Sequence, residues 1–524
     1  MALATGTLMV LAAACGSSSN NGGSSGAGGG GSNSSPVATP TSGPGLTAGY
    51  APAGTRITGG TVYFTQIPEQ EPNYIFPLYS PQVCGTQNIN QLMYMLYRPL
   101  YWYGNDYRPT IDYDYSIGKQ PTFSGGGKTV TIKLNPWKWA DGESVTSRDL
   151  VFWMNLMKAN PADWCGYVPG YFPDNVTSYS APDPSTFVLH FTKAYSPTWV
   201  IYDELSQLVP LPLAWDRTSL SQPAPSTDNG HLPDSTKAGS TAVYKFLDGQ
   251  SKDLGTWTTS PLWKVVDGPF KLTGFTSTGQ VTMEPNPDYS GSPKPSISKL
   301  VTLPYTSEAA VYNELRSSGP SALTVASLPQ QYAPQVSTLT AEGYNYNKAA
   351  SYSFNYFPLN FHNPQVGPIF SQLYFRQAFQ HLIDQQGWIN AFLYHTANPT
   401  YGPIPPSPPS PLVSASVTTV NPYPFSVSAA KSILASHGWK VAPGGTTTCE
   451  NPSLCGTGIT KGEGISFTID YASGIVALKN EMDDLAAQAS KIGINISLTT
   501  HPFATVIGTA VACQPSQPTC KWQS

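Results

Sequence analysis

Residues Lys128 to Asn160 read KTVTIKLNPWKWADGESVTSRDLVFWMNLMKAN. Thr129 to Leu134 alternates apolar and polar positions, the period of a half-buried strand. Ala140-Asp141-Gly142 is a tight turn. Thr146-Ser147-Arg148-Asp149 has capping-box spacing, with Thr146 at the N-cap and Asp149 at N3. The apolar run Leu150 to Met157 then predicts a buried helix that stops before Pro161. A strand, a turn and a capped helix thus follow one another within 33 residues.

Further units of the same kind lie on either side. Thr61 to Gln66 alternates as a strand, and a polar, proline-containing loop follows over Ile67 to Gln87. Asn88 to Leu100 reads as a helix, with Ile89, Leu92, Met93 and Leu96 on one face. Phe375, Ala378, Phe379, Leu382 and Ile383 predict an amphipathic helix reaching Gln386, and Ala429, Ile433 and Leu434 another. Near the end, strand Ile465 to Tyr471, a helical stripe (Leu478, Met482, Leu485, Ala489, Ile492) closed by Gly493, and strand Ile494 to Leu498 make a βαβ unit. Such a unit implies parallel strands and a right-handed crossover.

Composition narrows the function. The chain has 524 residues, enough for several domains. Its 27 Lys and Arg against 31 Asp and Glu give a net charge of -4, which does not suit nucleic acid as a partner. Only 11% of residues are charged, against about 25% in an average soluble protein. The 12 Trp, 30 Tyr and 20 Phe can nevertheless fill a core, and 47 Gly with 50 Pro predict many loops.

The first residues are MALATGTLMVLAAACGSSS. Ala2 to Ala14 is uncharged and mostly apolar, too short to span a bilayer but suited to a signal-peptide core. Cys15 follows three alanines and precedes a Gly/Ser run, which resembles a bacterial lipoprotein signal with Cys15 as the lipidated residue. Leu11 stands four residues before Cys15, one more than that pattern has, and a cleaved secretory leader with an incidental cysteine is the alternative. Residues 16–56 are read as a Gly/Ser/Pro tether, almost free of charge and expected to stay unfolded. Six cysteines remain after Cys15. Proximity in sequence pairs Cys449 with Cys455 and Cys513 with Cys520, leaving Cys84 with Cys165. Exported thiols oxidise, and these spacings are wider than the usual zinc-ligand spacing.

In register, Trp139, Asp141, Gly142, Val145, Thr146, Asp149, Val151 and Phe152 resemble the signature of the family 5 extracellular solute-binding proteins of ABC importers, the oligopeptide- and dipeptide-binding type. The resemblance continues in order through Asp183 to Phe191, Gly268-Pro269-Phe270-Lys271-Leu272, Asn286-Pro287-Asp288-Tyr289, Phe375-Arg376-Gln377-Ala378 with Ile383-Asp384, and Ala430-Lys431 to Gly438-Trp439.

The resemblance implies a type II periplasmic-binding-protein-like fold (cluster C): two α/β lobes, an extra subdomain, a hinge and an interlobe cleft. Residues 57–88 and 206–350 are expected to form lobe I, 89–205 the extra subdomain, and 351–524 lobe II. Family members normally continue well beyond Lys521-Trp522, so lobe II is expected to be incomplete here. The resemblance also places ligand contacts in three stretches. They are the loop Tyr79 to Gly85 (Val83, Cys84, Gly85), an aromatic loop (Trp164, Tyr167, Tyr171) and a first lobe II strand over Phe354 to Asn360 (Asn355, Tyr356, Asn360). Core packing is the competing explanation for each ring.

The implied function is capture of a peptide, or a similar solute, by a lipid-anchored monomer on the extracellular face of the bacterial membrane. Permease and ATPase subunits are the implied partners. Oligosaccharide, nickel or haem are alternative ligands on this fold. A glycan hydrolase is the alternative of another class, and it needs a carboxylate pair that no sequence signal picks out. No cofactor or metal is expected. The seven His residues are scattered, His381 falls on an amphipathic helix, and Gly125-Gly126-Gly127-Lys128-Thr129 precedes a strand and so reads as a hairpin turn rather than a phosphate loop.

Overall fold

The computed structural model describes residues 57–103, 111–225, 232–317, 322–346, 353–406, 413–414, 420–511, 513 and 517–524. The leader, Cys15 and the tether lie outside them.

The chain enters through strand β1 (Thr61–Thr65). A helical run follows, made of Thr86–Asn88, a π-helical stretch Ile89–Met93 and Tyr94–Leu96. It ends four residues before the expected Leu100. Arg98 precedes Pro99, which disfavours helix, and the Arg98 N–H goes instead to Asp267 Oδ1 at 2.9 Å. Strands β2 (Thr122–Ser124) and β3 (Thr129–Lys133) form a hairpin whose turn is the Gly125–Gly127 run.

Helix α1 (Ser147–Ala159) starts where the capping box predicts. The Thr146 N–H and hydroxyl both donate to Asp149 Oδ2, at 2.6 and 3.1 Å. Burial nevertheless dominates and pushes the Asp149 carboxyl up to about 7. Strands β4 (Val176–Asp183) and β5 (Thr186–Phe191) complete an antiparallel sheet of order β2-β3-β5-β4, and Ser147 Oγ ties α1 to it through the Asp183 carbonyl.

Helix α2 (Lys237–Lys252) leads to β6 (Phe270–Phe275), β7 (Val281–Pro285) and β8 (Lys299–Leu303). These join β1 in a second sheet of order β1-β8-β7-β6, with β1 parallel to β8 (Thr61 opposite Lys299). Both sheets share one hydrophobic core running from Phe64 to Leu300. At its centre Trp215 meets Trp263, Tyr97 and Phe76 at ring-centroid distances of 5.2, 5.5 and 5.9 Å. Helix α3 (Glu308–Leu315) belongs to a smaller cluster that packs against Tyr63 and Leu303.

The second lobe has its own core, from Val366 to Ile494. The single helix expected over Phe375 to Gln386 is two: α4 (Leu373–Gln380) and α5 (Gln385–Ala391). Asp384 divides them because its carboxylate N-caps α5, accepting from the Gly387 N–H at 2.9 Å. His381 Nδ1 lies 2.6 Å from the Pro424 carbonyl, a structural contact. Helix α6 (Val427–Ser436) follows. Strand β9 (Ser466–Ala472), helix α7 (Val476–Ser490) and strand β10 (Asn495–His501) form the expected βαβ unit, with Ser466 paired to Asn495 in parallel. Helix α8 (Phe503–Thr509) comes next.

Residues 353–360 lie in no helix and no ladder among the described residues, so the expected strand over Phe354 to Asn360 is absent there. Polar side chains fix this stretch instead. Asn360 Nδ2 donates to the Trp522 carbonyl at 2.8 Å, and Asn363 Nδ2 to the Lys521 carbonyl at 2.9 Å. The disulfides are Cys84–Cys165, Cys449–Cys455 and Cys513–Cys520, as the spacing predicts.

Candidate functional site

Two segments of the second lobe meet two loops of the first. The turn between β9 and α7 is one. Ser473 Oγ donates to Glu69 Oε2 at 2.6 Å, and the Val476 N–H donates to Glu308 Oε2 at 3.1 Å. Val476 opens α7, so the Glu308 carboxylate also sits at the positive end of that helix. Burial raises the Glu308 carboxyl, and the Val476 bond opposes the rise. Between these bonds, Gly474 (φ 84) packs so closely that a Cβ there would lie 2.8 Å from the Pro68 carbonyl oxygen. Glu69 itself is held at φ 60, left-handed backbone that costs a side-chain-bearing residue roughly 1–2 kcal/mol. Its N–H is taken by the Tyr305 carbonyl at 3.2 Å.

Helix α8 is the other segment. It lies on the turn Pro81–Val83, where a Cβ at Gly508 would approach Gln82 Cα to 2.8 Å, and Ile507 packs on the first core. The loop beneath is fixed from several sides. Asn88 Oδ1 accepts from the Asn73 and Tyr74 N–H groups, and its Nδ2 donates to the Val83 carbonyl at 2.8 Å. The Cys84–Cys165 bond and the Cys165 N–H, 2.8 Å from the Tyr79 carbonyl, join it to the aromatic loop. Val83, Cys84 and Gly85 are therefore brought together, buried, on the lobe I side of this seam.

Beside the seam is a pocket of about 550 Å³. Its walls come from the loop after β1 (Glu69, Gln70, Glu71, Asn73), the helical run (Gln87), the β6–β7 hairpin (Phe275, Ser277, Thr278), the turn after α2 (Leu254) and the start of α8 (Phe503).

The other expected contacts are dispersed in role. Trp164 is buried and meets Trp153 and Phe172 edge-on at 6.0 Å each, which is core packing. Tyr167 donates its hydroxyl to Asp174 Oδ2 at 2.9 Å. Tyr171 is more exposed, its ring 6.5 Å from Trp199. On the second lobe Asn355 and Tyr356 are exposed, whereas Asn360 is buried and engaged by the C-terminal segment.

Residues 117–514 match the model of the bacterial extracellular solute-binding proteins, family 5, middle region. The chain belongs to family 5. A peptide-binding protein of an ABC transporter from Brucella ovis is 25% identical over 306 residues, 57% of this family 5 chain and 49% of that protein. The chain thus spans about half the length of the curated relatives it matches. The fold is that of the oligopeptide-binding protein AppA from Bacillus subtilis, solved with a nonapeptide: TM-score 0.64, 18% identity, 87% of this chain and 77% of that one. The binding protein AgaA from A. tumefaciens R10, solved with agropinic acid, gives TM-score 0.58 and 20% identity, covering 86% and 74%.

Sequence reasoning did not single out Glu69, Glu71, Gln87, Glu308 or Ser473 in this family 5 chain. The first three lie in or next to the polar loop after β1, where no periodicity marks them. Their partners from the second lobe stand some 400 residues on, and Glu69 to Ser473 is 404. The one local signal is the run of two glutamates between prolines, Pro68-Glu69-Gln70-Glu71-Pro72.

Proposed function

We propose that this chain captures peptides between its two lobes and presents the closed form to a membrane permease, driven by a separate ATPase subunit. The observation that carries the reading is the seam itself. Two carboxylates of the first lobe grip one turn of the second, and a pocket lined by both polar and apolar side chains opens beside the grip. A binding lobe needs no covalent chemistry; closure about a hinge is enough to bury a solute. In this reading residues 57–88 and 206–350 act as lobe I, 89–205 as an insert sharing its core, and 351–524 as lobe II. Backbone groups at Val83, Cys84 and Gly85, with Tyr167 and Tyr171, supply contacts to a flexible ligand, and Asn355 and Tyr356 supply them from the other side. Cys15 carries a lipid that holds the monomer at the extracellular face.

Thermal unfolding of the purified chain against peptide, sugar and metal panels tests this. Peptides are expected to raise the midpoint in proportion to the logarithm of their concentration above Kd. Stabilisation by sugars or metals alone would reject the peptide reading.

A further inference from the structure

Helix α8 crosses the seam as a strap. It leaves lobe II at His501, whose carbonyl accepts the Ser473 N–H at 2.9 Å. It returns through Val511, whose carbonyl accepts from Trp522 Nε1 at 3.0 Å. Between these anchors it lies against Gln82 in the lobe I turn Pro81–Val83.

Its sequence makes a weak helix. Phe503–Thr509 reads FATVIGT, with four β-branched residues and Gly508, all poorer helix formers than alanine. Pro502 stands at the N-cap and offers no side-chain acceptor to the first N–H groups. Isolated helices shorter than about 12 residues are marginal in water, so α8 owes its form to docking. That docking is shallow. None of its seven residues is buried, and among the described residues no hydrogen bond joins Phe503–Thr509 to lobe I. Ile507 on the first core and the approach of Gly508 to Gln82 hold it there. Segments with few buried contacts open at low free-energy cost.

The surface beneath is firm. Asn88 is fully buried and uses both of its amide groups, accepting from the Asn73 and Tyr74 N–H groups and donating to Asn73 Oδ1 and the Val83 carbonyl. The Cys84–Cys165 bond ties the same loop to the aromatic loop. Val83 and Cys84, two of the expected ligand contacts, are only 9% and 3% exposed, and both belong to the core on which Ile507 packs. A solute cannot touch residues so closed off. The loop that carries them is pinned, and the segment lying on it that can move is α8.

We propose that α8 is a displaceable cover, which must lift from Pro81–Val83 before a peptide reaches the loop beneath. The proposal rests on the peptide-capture reading. The docked form lowers apparent affinity by the fraction of molecules in which α8 is raised. The Glu69–Ser473 and Glu308–Val476 bonds lie outside α8, so the lobes can still close once the peptide is in.

Two substitutions loosen the cover by different routes. Gly508→Val puts a Cβ 2.8 Å from Gln82 Cα, where backbone must give way. Ile507→Ser removes the apolar anchor. Calorimetry and stopped-flow binding of a randomised pentapeptide pool to the whole chain, with hydrogen exchange of the α8 and α7 amides, read the effect. Both variants are expected to associate faster and to bind about three- to thirtyfold more tightly than wild type. Their α8 amides should exchange faster without peptide while α7 amides do not change, and peptide should speed α8 exchange in wild type. A variant whose α7 amides also speed up has lost its fold, and the other then decides. Unchanged affinity and association rate overturn the proposal and leave peptide capture standing. So do weaker binding by the variants and slower α8 exchange with peptide, which would make α8 a clamp over the bound ligand. Binding by the variants alone supports both the cover and capture. Binding by none of the three proteins rejects both.

Discussion

Glu69 and Ser473 stand 404 residues apart in sequence and 2.6 Å apart in space, carboxylate to hydroxyl, across the seam between the lobes. Glu69 is exposed, so its carboxylate finds water readily if the bond is lost. Ser473→Ala is therefore expected to change unfolding stability by less than about 0.5 kcal/mol. It is expected to weaken peptide binding about two- to tenfold by taking one hydrogen bond from the closed form. Titration beside a denaturant melt checks both parts, and unaltered affinity would remove this bond from the closure.

Gly474 offers a sharper probe of the same contact. Its φ of 84 and the 2.8 Å approach of a Cβ to the Pro68 carbonyl leave no room for a side chain while the lobes touch. Gly474→Ala is expected to cost about 1–2 kcal/mol of backbone strain and to hold the lobes apart. Solution scattering should show a larger radius of gyration than wild type. A radius equal to wild type would mean that Pro68 and Gly474 do not limit closure.

The disulfides should rank by the loop each closes. Cys84–Cys165 spans 81 residues and Cys449–Cys455 spans 6. Replacing each pair by alanine is expected to cost about 4–5 kcal/mol for the first and about 2 kcal/mol for the second in the chain-entropy picture. Denaturant midpoints with unchanged slopes give the comparison. An equal cost would show that native packing around the sulfurs, rather than loop closure, sets their value.

Stability should also fall as pH rises towards 8. Burial pushes the Glu481 carboxyl up to about 7, and those of Asp216 and Asp267 to about 8. A carboxyl whose folded pKa is raised favours the fold most below its unfolded value, near 4 to 4.5, and loses that contribution as pH climbs through the folded value. The window is thus about pH 4 to 8 for these groups. Glu481→Gln removes one of them. It is expected to stabilise the chain at pH 8 by about 1–3 kcal/mol and to do nothing comparable at pH 5. Melts at the two pH values decide, and the same gain at both would mean that ionisation is not the cause.

Where neighbours in sequence are neighbours in space, reading the chain was enough. Thr146 and Asp149 announce α1 because a capping box is complete within four residues, and β9-α7-β10 is legible because its two periodicities follow each other directly. Reading failed where distant groups decide. The helical run stops at Leu96 because the Asp267 carboxylate, 169 residues from Arg98, takes the Arg98 N–H. The break between α4 and α5 is local by contrast: the Asp384 cap on Gly387 was hidden inside a continuous apolar pattern. The Phe354 to Asn360 stretch has strand-like composition, yet Asn360 and Asn363 bind it to carbonyls some 160 residues away. The pocket was the least legible of all, since Glu71 and Gln87 come to line one cavity only when Phe503, more than 400 residues on, is laid beside them.

The central claim is that the lobes close on a peptide and release it unchanged. Small-angle scattering of the purified chain, with and without saturating peptide, combined with mass spectrometry of the recovered peptide, tests it most directly. The radius of gyration is expected to fall on binding and the peptide to come back intact. A radius that stays fixed at saturation, or a peptide returned in pieces, would contradict it.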